Sequence, residues 1–290
     1  MEARTTTTRY EQPLGVWTHV TRTPGPALAP LMYREPIGFD QEWASFGSWL
    51  EAPRPALTLM VDLRGSIREH GERLPDAWLC GLHDTCSRVE FDRSYASLDL
   101  ELTPLGAYRV LGLPLSELRG RVVALDDLFG RRGAELAERV RAAARWDQRF
   151  ETVERFLLRR VEDGPRPTPA VESAYRQLRA SGGAARVEAL AASLGCSRRY
   201  LTGRFKAEVG MPPKAVARLI RFEYVCRRLR ARPARWAEIA ADAGFSDQPH
   251  LNREFRELAG TTPSDFLVRC IPDGGVVGDE IAVGTVEQTG

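Results

Sequence analysis

The chain has 290 residues, 43% of them hydrophobic, with 41 Lys and Arg against 39 Asp and Glu. That length suits two domains, each with its own core. The five cysteines (Cys80, Cys86, Cys196, Cys226, Cys270) are scattered and odd in number, which argues against a disulfide framework and for a reducing cytoplasm. There is no apolar run of membrane-spanning length, and Met1-Glu2-Ala3-Arg4-Thr5 lacks the apolar core of a leader, so no membrane association is expected.

In chain order, Met1–Pro13 is polar and Thr-rich and reads as a disordered lead-in. Residues 14–102 carry short alternating runs. Leu57–Leu63, Ala77–Leu82 and Ser97–Leu102 read as strands, separated by turn signals at Arg64-Gly65-Ser66, His70-Gly71-Glu72 and Phe91-Asp92-Arg93-Ser94. Thr103–Gly112 starts a short helix with a proline in its first turn. Leu125–Gly130 opens a helical section, and Ala134–Trp146 and Gln148–Arg160 follow as two packed helices with many outward arginines. Glu162–Pro169, rich in proline, reads as a linker. Asp273–Gly290 reads as a disordered tail.

Between linker and tail, one pattern occurs twice. Leu190-Ala191-x2-Leu194-Gly195-Cys196-Ser197-x3-Leu201-x3-Phe205-x4-Gly210-x2-Pro213 is echoed by Ile239-Ala240-x2-Ala243-Gly244-Phe245-Ser246-x4-Leu251-x3-Phe255-x4-Gly260-x2-Pro263. The offset is 49 before the serines and 50 after them, so the second copy has one extra residue. Each copy reads as a helix (Val187–Ser193, Trp236–Asp242), a glycine turn, an N-cap at Ser197 or Ser246, and a second helix. The second helix buries a Leu–Phe pair four residues apart, Leu201/Phe205 or Leu251/Phe255. Its outer face is polar: Arg198, Arg199, Thr202 and Lys206 in the first copy; Gln248, His250, Asn252, Arg253 and Arg256 in the second. Such a unit suits the DNA major groove. Charge agrees: residues 170–270 carry 18 Lys and Arg against 10 Asp and Glu, whereas the remainder is net acidic.

The segment Ala243–Arg256, followed by Gly260-Thr261-Thr262-Pro263, resembles the signature of the AraC/XylS family of transcriptional regulators. The likeness runs from Thr168 to Arg269. It implies that both second helices enter the major groove, joined by a central helix at about Pro213–Arg230. The groove-facing positions it implies are Arg199, Thr202 and Gly203, then Gln248, Pro249, Asn252 and Arg253. Arg199 is the long reader of the first groove. Arg198 and Lys206 lie on the flank and suit phosphate. Arg253 either contacts DNA or pairs with Glu257. The segment through Leu102–Arg109 more distantly resembles an N-terminal regulatory domain of the same family, of cupin-like flavour.

The expected fold class is α+β: an N-terminal antiparallel β domain, cupin-like or a small barrel, with helices, and a C-terminal all-α domain of two helix-turn-helix motifs. The expected division is 1–161 regulatory or dimerisation domain, 162–169 linker, 170–270 DNA-binding domain and 271–290 tail. The partners it implies are double-stranded DNA, RNA polymerase, a small-molecule effector and a second copy of the chain.

The alternative is a metal-binding or enzymatic N-terminal module fused to a DNA anchor. Cys80-x2-His83-x2-Cys86 has ligand spacing, but in a strand His83 faces away from both thiols and no fourth ligand is evident. No nucleotide-binding or hydrolase motif is present; neither cofactor, metal nor catalytic residue is expected. Trp17, Tyr33, Phe39, Trp43, Phe46, Trp49 and Trp78 either line an apolar pocket or form ordinary core.

Overall fold

A computed structural model describes residues 5–12, 15–43, 47–231 and 236–269. The tail 271–290, Phe46 and Cys270 lie outside the described residues.

The N-terminal half is built on two antiparallel sheets. Its strands are β1 (Thr5–Gln12), β2 (Gly15–Arg22), β3 (Ile37–Trp43), β4 (Gly47–Glu51), β5 (Leu57–Asp62), β6 (Arg68–Glu69), β7 (Glu72–Arg73), β8 (Ala77–Cys80), β9 (Ser87–Phe91) and β10 (Ser94–Leu102). A last strand, β11 (Val122–Ala124), follows helix α1 (Pro104–Leu111). The larger sheet runs β1-β2-β3-β10-β5-β8-β11 and the smaller β4-β9-β6-β7. Helices α2 (Leu125–Phe129), α3 (Arg131–Ala142) and α4 (Trp146–Asp163) complete this half.

The expected lead-in is corrected: Thr5–Gln12 is an edge strand, in register with β2 from Thr5↔Arg22 to Gln12↔Gly15. Its threonines are polar, but β-branching favours the extended backbone. Arg22 also fixes this corner to α4, its Nε 3.1 Å from Glu154 Oε1 and its Nη1 3.3 Å from Asp147 Oδ1.

β10 is buried on both faces. Leu98, Leu100 and Leu102 join the main core with the helices. Tyr95 turns to the other side, into an aromatic cluster with Trp17, Trp43, Trp49, Trp78 and Phe91. On Tyr95's face, Tyr95 Oη lies 2.7 Å from Ser97 Oγ, which donates to Asp99 Oδ1 at 2.6 Å. Burial pushes the Asp99 carboxyl up to about 7, against the pull of Ser97 and Arg34. Glu101 Oε1 is paired with Arg34 at 2.8 Å and with Arg54.

The C-terminal half is all helix: α5 (Pro169–Ala180), α6 (Val187–Ser193), α7 (Arg198–Val209), α8 (Pro213–Ala231), α9 (Trp236–Asp242), α10 (Gln248–Ala259) and α11 (Pro263–Val268). The extended stretch between the halves is 164–168, since α4 runs to Asp163 and Pro169 already starts α5. It is packed, not a free tether. A side chain at Gly164 would put its Cβ 1.8 Å from the Arg109 carbonyl oxygen. Thr168 donates its N–H to the buried Glu208 Oε2 of α7 at 2.7 Å. Arg179 of α5 donates to Tyr33 Oη of the β half at 3.1 Å and to Glu223 of α8 at 2.8 Å. α7 also packs on α1 and on the 3-10 turn Leu115–Leu118. The main hydrophobic core runs through both halves without a break. Apolar contact thus holds the two halves together across the stretch that reads as a linker in the sequence.

Candidate nucleic-acid interface

The two helix-turn-helix units are α6–α7 and α9–α10, built by the same local rules. Gly195 (φ +63°) and Gly244 (φ +74°) occupy the left-handed region, where a β-carbon is strained. Each turn closes with a matching bond, Cys196 N–H to Ala191 O at 3.1 Å and Phe245 N–H to Ala240 O at 2.8 Å. Leu201, Phe205, Leu251 and Phe255 are at most 2% exposed. Burying those faces leaves the polar faces of α7 and α10 outward.

The N-caps differ from expectation in one place. Ser197 caps α7, accepting from Tyr200 N–H at 3.1 Å. In the second unit the cap is Asp247, not Ser246: Asp247 Oδ1 accepts from His250 N–H at 2.7 Å. The extra residue explains the shift, because it lies between Ser246 and the helix. Ser246 instead meets His250, its Oγ 3.1 Å from Nδ1.

The predicted site residues fall on these two helices with different environments. Arg199, Lys206, Gln248 and Arg253 are exposed, and Thr202 and Asn252 are half-buried. Among the described residues, Arg199, Lys206 and Arg253 have no ion-pair partner. Glu257, the alternative partner for Arg253, pairs with Arg218 of α8 instead. Arg198 lies 2.9 Å from Glu188 of α6, with both side chains mostly exposed; so exposed a pair yields readily to a phosphate. His250 is tied down within its own unit, stacked edge-on against Phe245 at 5.3 Å between ring centroids, its Nε2 3.6 Å from Glu254.

Glu254 sets the pose of α10. It is 9% exposed and takes Arg218 at 3.1 Å and Arg221 at 3.4 Å, both from α8. A carboxylate this buried, held by two guanidiniums, resists rotation of α10 against α8. The sequence reading missed Glu254 and Glu208; their signal was a carboxylate on the inward side of an otherwise basic helix. It also passed over Tyr200, which is 50% exposed in the first turn of α7.

The other candidate chemistry does not assemble. Cys80 Sγ and Cys86 Sγ face nearby carbonyls, and His83 Nδ1 lies 2.7 Å from Thr85 O. Burial pushes the thiols up to about 12 and about 11, the opposite of what a thiolate ligand needs. Among the described residues no three His, Cys, Asp or Glu side chains are placed so that they could hold a metal ion together. Of the aromatics, Trp17, Trp43, Trp49 and Trp78 form the buried cluster with Phe39 against it, while Tyr33 belongs to the contact between the halves. Trp17 Nε1 and Glu101 Oε2 are buried without a hydrogen-bond partner among the described residues.

A family profile of helix-turn-helix domains matches residues 190–269. An AraC-like transcription regulator of Streptomyces antibioticus is 34% identical over 86 residues, 30% of this chain and 28% of that protein. Residues 190–269 are thus a helix-turn-helix domain, similar over this stretch to that of an AraC-like regulator. The chain thus aligns with less than a third of the length of that relative. Two solved structures also resemble it. The C-terminal domain of AraT, a response regulator from Geobacillus stearothermophilus, is 25% identical, covering 34% of this chain and 84% of its own, with a TM-score of 0.33. ToxT from Vibrio cholerae is 13% identical, covering 80% of this chain and 97% of its own, with a TM-score of 0.47. The helix-turn-helix profile takes in both units and the helix α8 between them. No described helix is long and apolar enough to cross a membrane.

Proposed function

We propose that the chain is a sequence-specific DNA-binding transcription regulator that reads two adjacent major-groove segments and is modulated by its N-terminal domain. The observation that carries this is the pair of like-built units whose second helices present Arg199, Lys206, Gln248 and Arg253 exposed to solvent. α8 has 19 residues, hence a length of about 28 Å. With its flanking turns this suits recognition helices about 34 Å apart, one turn of DNA. The two reading faces differ in sequence, so the site is asymmetric.

In this reading Arg199 makes a bidentate contact with guanine and Gln248 suits adenine. Thr202 and Asn252 line the groove floor; Arg198 and Lys206 meet phosphate. His250 acts through its own unit, holding the turn and Glu254 in place. The regulator works in the cytoplasm with RNA polymerase as its partner at the promoter. Its β half takes an effector or a second copy of the chain as input; the unpaired Trp17 Nε1 and Glu101 Oε2 inside the sheets support an effector.

The test is a binding-site selection run in parallel on wild type, Arg199→Ala and Arg198→Ala. Arg199→Ala relaxes the preference at one position and loses about 1–3 kcal/mol. Arg198→Ala weakens all sequences alike and flattens the salt slope by about one. Identical selected sequences for all three proteins would remove Arg199 as a reader.

A further inference from the structure

We propose that the groove between α3 and α4 docks an acidic, helix-forming segment of a partner protein. The groove has a volume of about 420 Å³. Arg132 and Arg139 rise from α3 on one side, Arg155 and Arg159 from α4 on the other, with Phe156 between them. All four arginines are exposed, and none has an ion-pair partner among the described residues. Arg155 meets only a backbone carbonyl, that of Glu151. Glu135, also at the groove, is already held by Arg131 at 2.8 Å.

The charge is local. Residues 131–160 hold 9 arginines against 5 acids, whereas residues 1–130 hold 13 against 18. A positive groove on an acidic half has no part in the α7–α10 reading face.

The spacing selects the occupant. Arg132 and Arg139 are two helical turns apart, about 10.5 Å along the axis, too far for one small anion to bridge. A helix with carboxylates at the same repeat meets both arginines, and arginine takes carboxylates bidentately. Nucleic acid fits less well: the site is concave, and a phosphate chain offers nothing to the Phe156 ring. A two-fold contact with a second copy would set the four arginines against their own equivalents. Glu162 and Asp163 close one end of the groove, so the partner helix lies with any basic end there.

The experiment uses the full chain and a fluorescein-labelled Glu-rich amphipathic helical peptide of about four turns, with a Lys-rich peptide of the same pattern as its counterpart. Anisotropy titrations compare wild type with Arg139→Glu/Arg159→Glu, an exposed pair whose reversal leaves the circular dichroism unchanged. The acidic peptide binds wild type in a salt-dependent way, and the double reversal weakens it at least tenfold. The Lys-rich peptide gains affinity for the reversed protein, while Arg198→Glu and Arg253→Glu leave the acidic titration unchanged. The proposal is overturned if the groove reversal leaves acidic-peptide binding intact or if the reading-face reversals abolish it. It is equally overturned if the groove reversal weakens duplex DNA binding, which makes the groove a phosphate surface, or alters the sedimentation of the protein, which makes it a contact between copies.

Discussion

At the scale of single residues, two positions carry measurable consequences. Gly203 sits in the exposed middle of α7, and a β-carbon there would meet nothing within 4 Å. Gly203→Ala therefore stabilises the protein by about 1 kcal/mol through helix propensity alone, seen as a higher midpoint in urea with an unchanged slope. Asp99 behaves differently. Its folded pKa, pushed up to about 7 by burial, lies above the unfolded value of about 3.9. Between those values the folded state holds a proton that the unfolded state has released, so stability falls as pH rises from about 4 to 7. Asp99→Asn removes that dependence while still accepting from Ser97. The variant gains more in melting temperature at pH 8 than at pH 5; an equal gain at both would show that Asp99 is ionised in the folded protein throughout.

At the scale of elements, the two units differ in what starts and what steadies the second helix. Asp247 is the cap of α10, so Asp247→Ala costs about 1 kcal/mol, read by chemical denaturation. Ser246→Ala costs less, because that hydroxyl bonds a side chain and not a free N–H. A larger loss for Ser246→Ala would restore the serine as the cap. α10 is steadied by the Arg218 and Arg221 clamp on Glu254. α7 is steadied by Glu208, which takes Arg204 at 2.6 Å and the start of α5. Glu254→Gln keeps the shape but weakens the clamp. The expected result is weaker DNA binding with the selected sequence unchanged at the first half of the site and blurred at the second.

At the scale of the molecule, the continuous core couples the halves. Trp17, Trp43, Trp49, Trp78 and Trp146 lie in the β half and Trp236 in the helical half, so tryptophan fluorescence follows mainly the former and helical circular dichroism mainly the latter. Both signals change together on heating, in one transition. Gly164→Ala drives a methyl group into the Arg109 carbonyl and separates the two curves. Coincident curves in that variant would mean that 164–168 does not hold the halves in place. The N-terminal half grips the first unit through α7, and Tyr33 reaches Arg179 beside it. Tyr33→Phe, which removes one part-buried hydrogen bond, loosens that connection by about 1 kcal/mol.

The sequence by itself determined the local pieces of the two helix-turn-helix units. α6 and α9 begin and end where glycine turns and apolar spacing place them, and the Leu–Phe pairs of α7 and α10 are buried as their period requires. These features depend on neighbours a few residues away, and such interactions are written in spacing. Only the tertiary structure decided the rest. A threonine run became strand β1 because β2 supplied its hydrogen-bond partners, a contact that composition does not record. Asp247 displaced Ser246 as a cap because one inserted residue changed which side chain met the free N–H groups. A proline-rich stretch became a packed joint because α1 and α7 supplied a carbonyl wall and a buried carboxylate. The ring of His250 is braced within its own unit because Ser246, Phe245 and Glu254 converge on it. Each of these outcomes turns on which distant groups meet, and that is settled by packing of the whole chain.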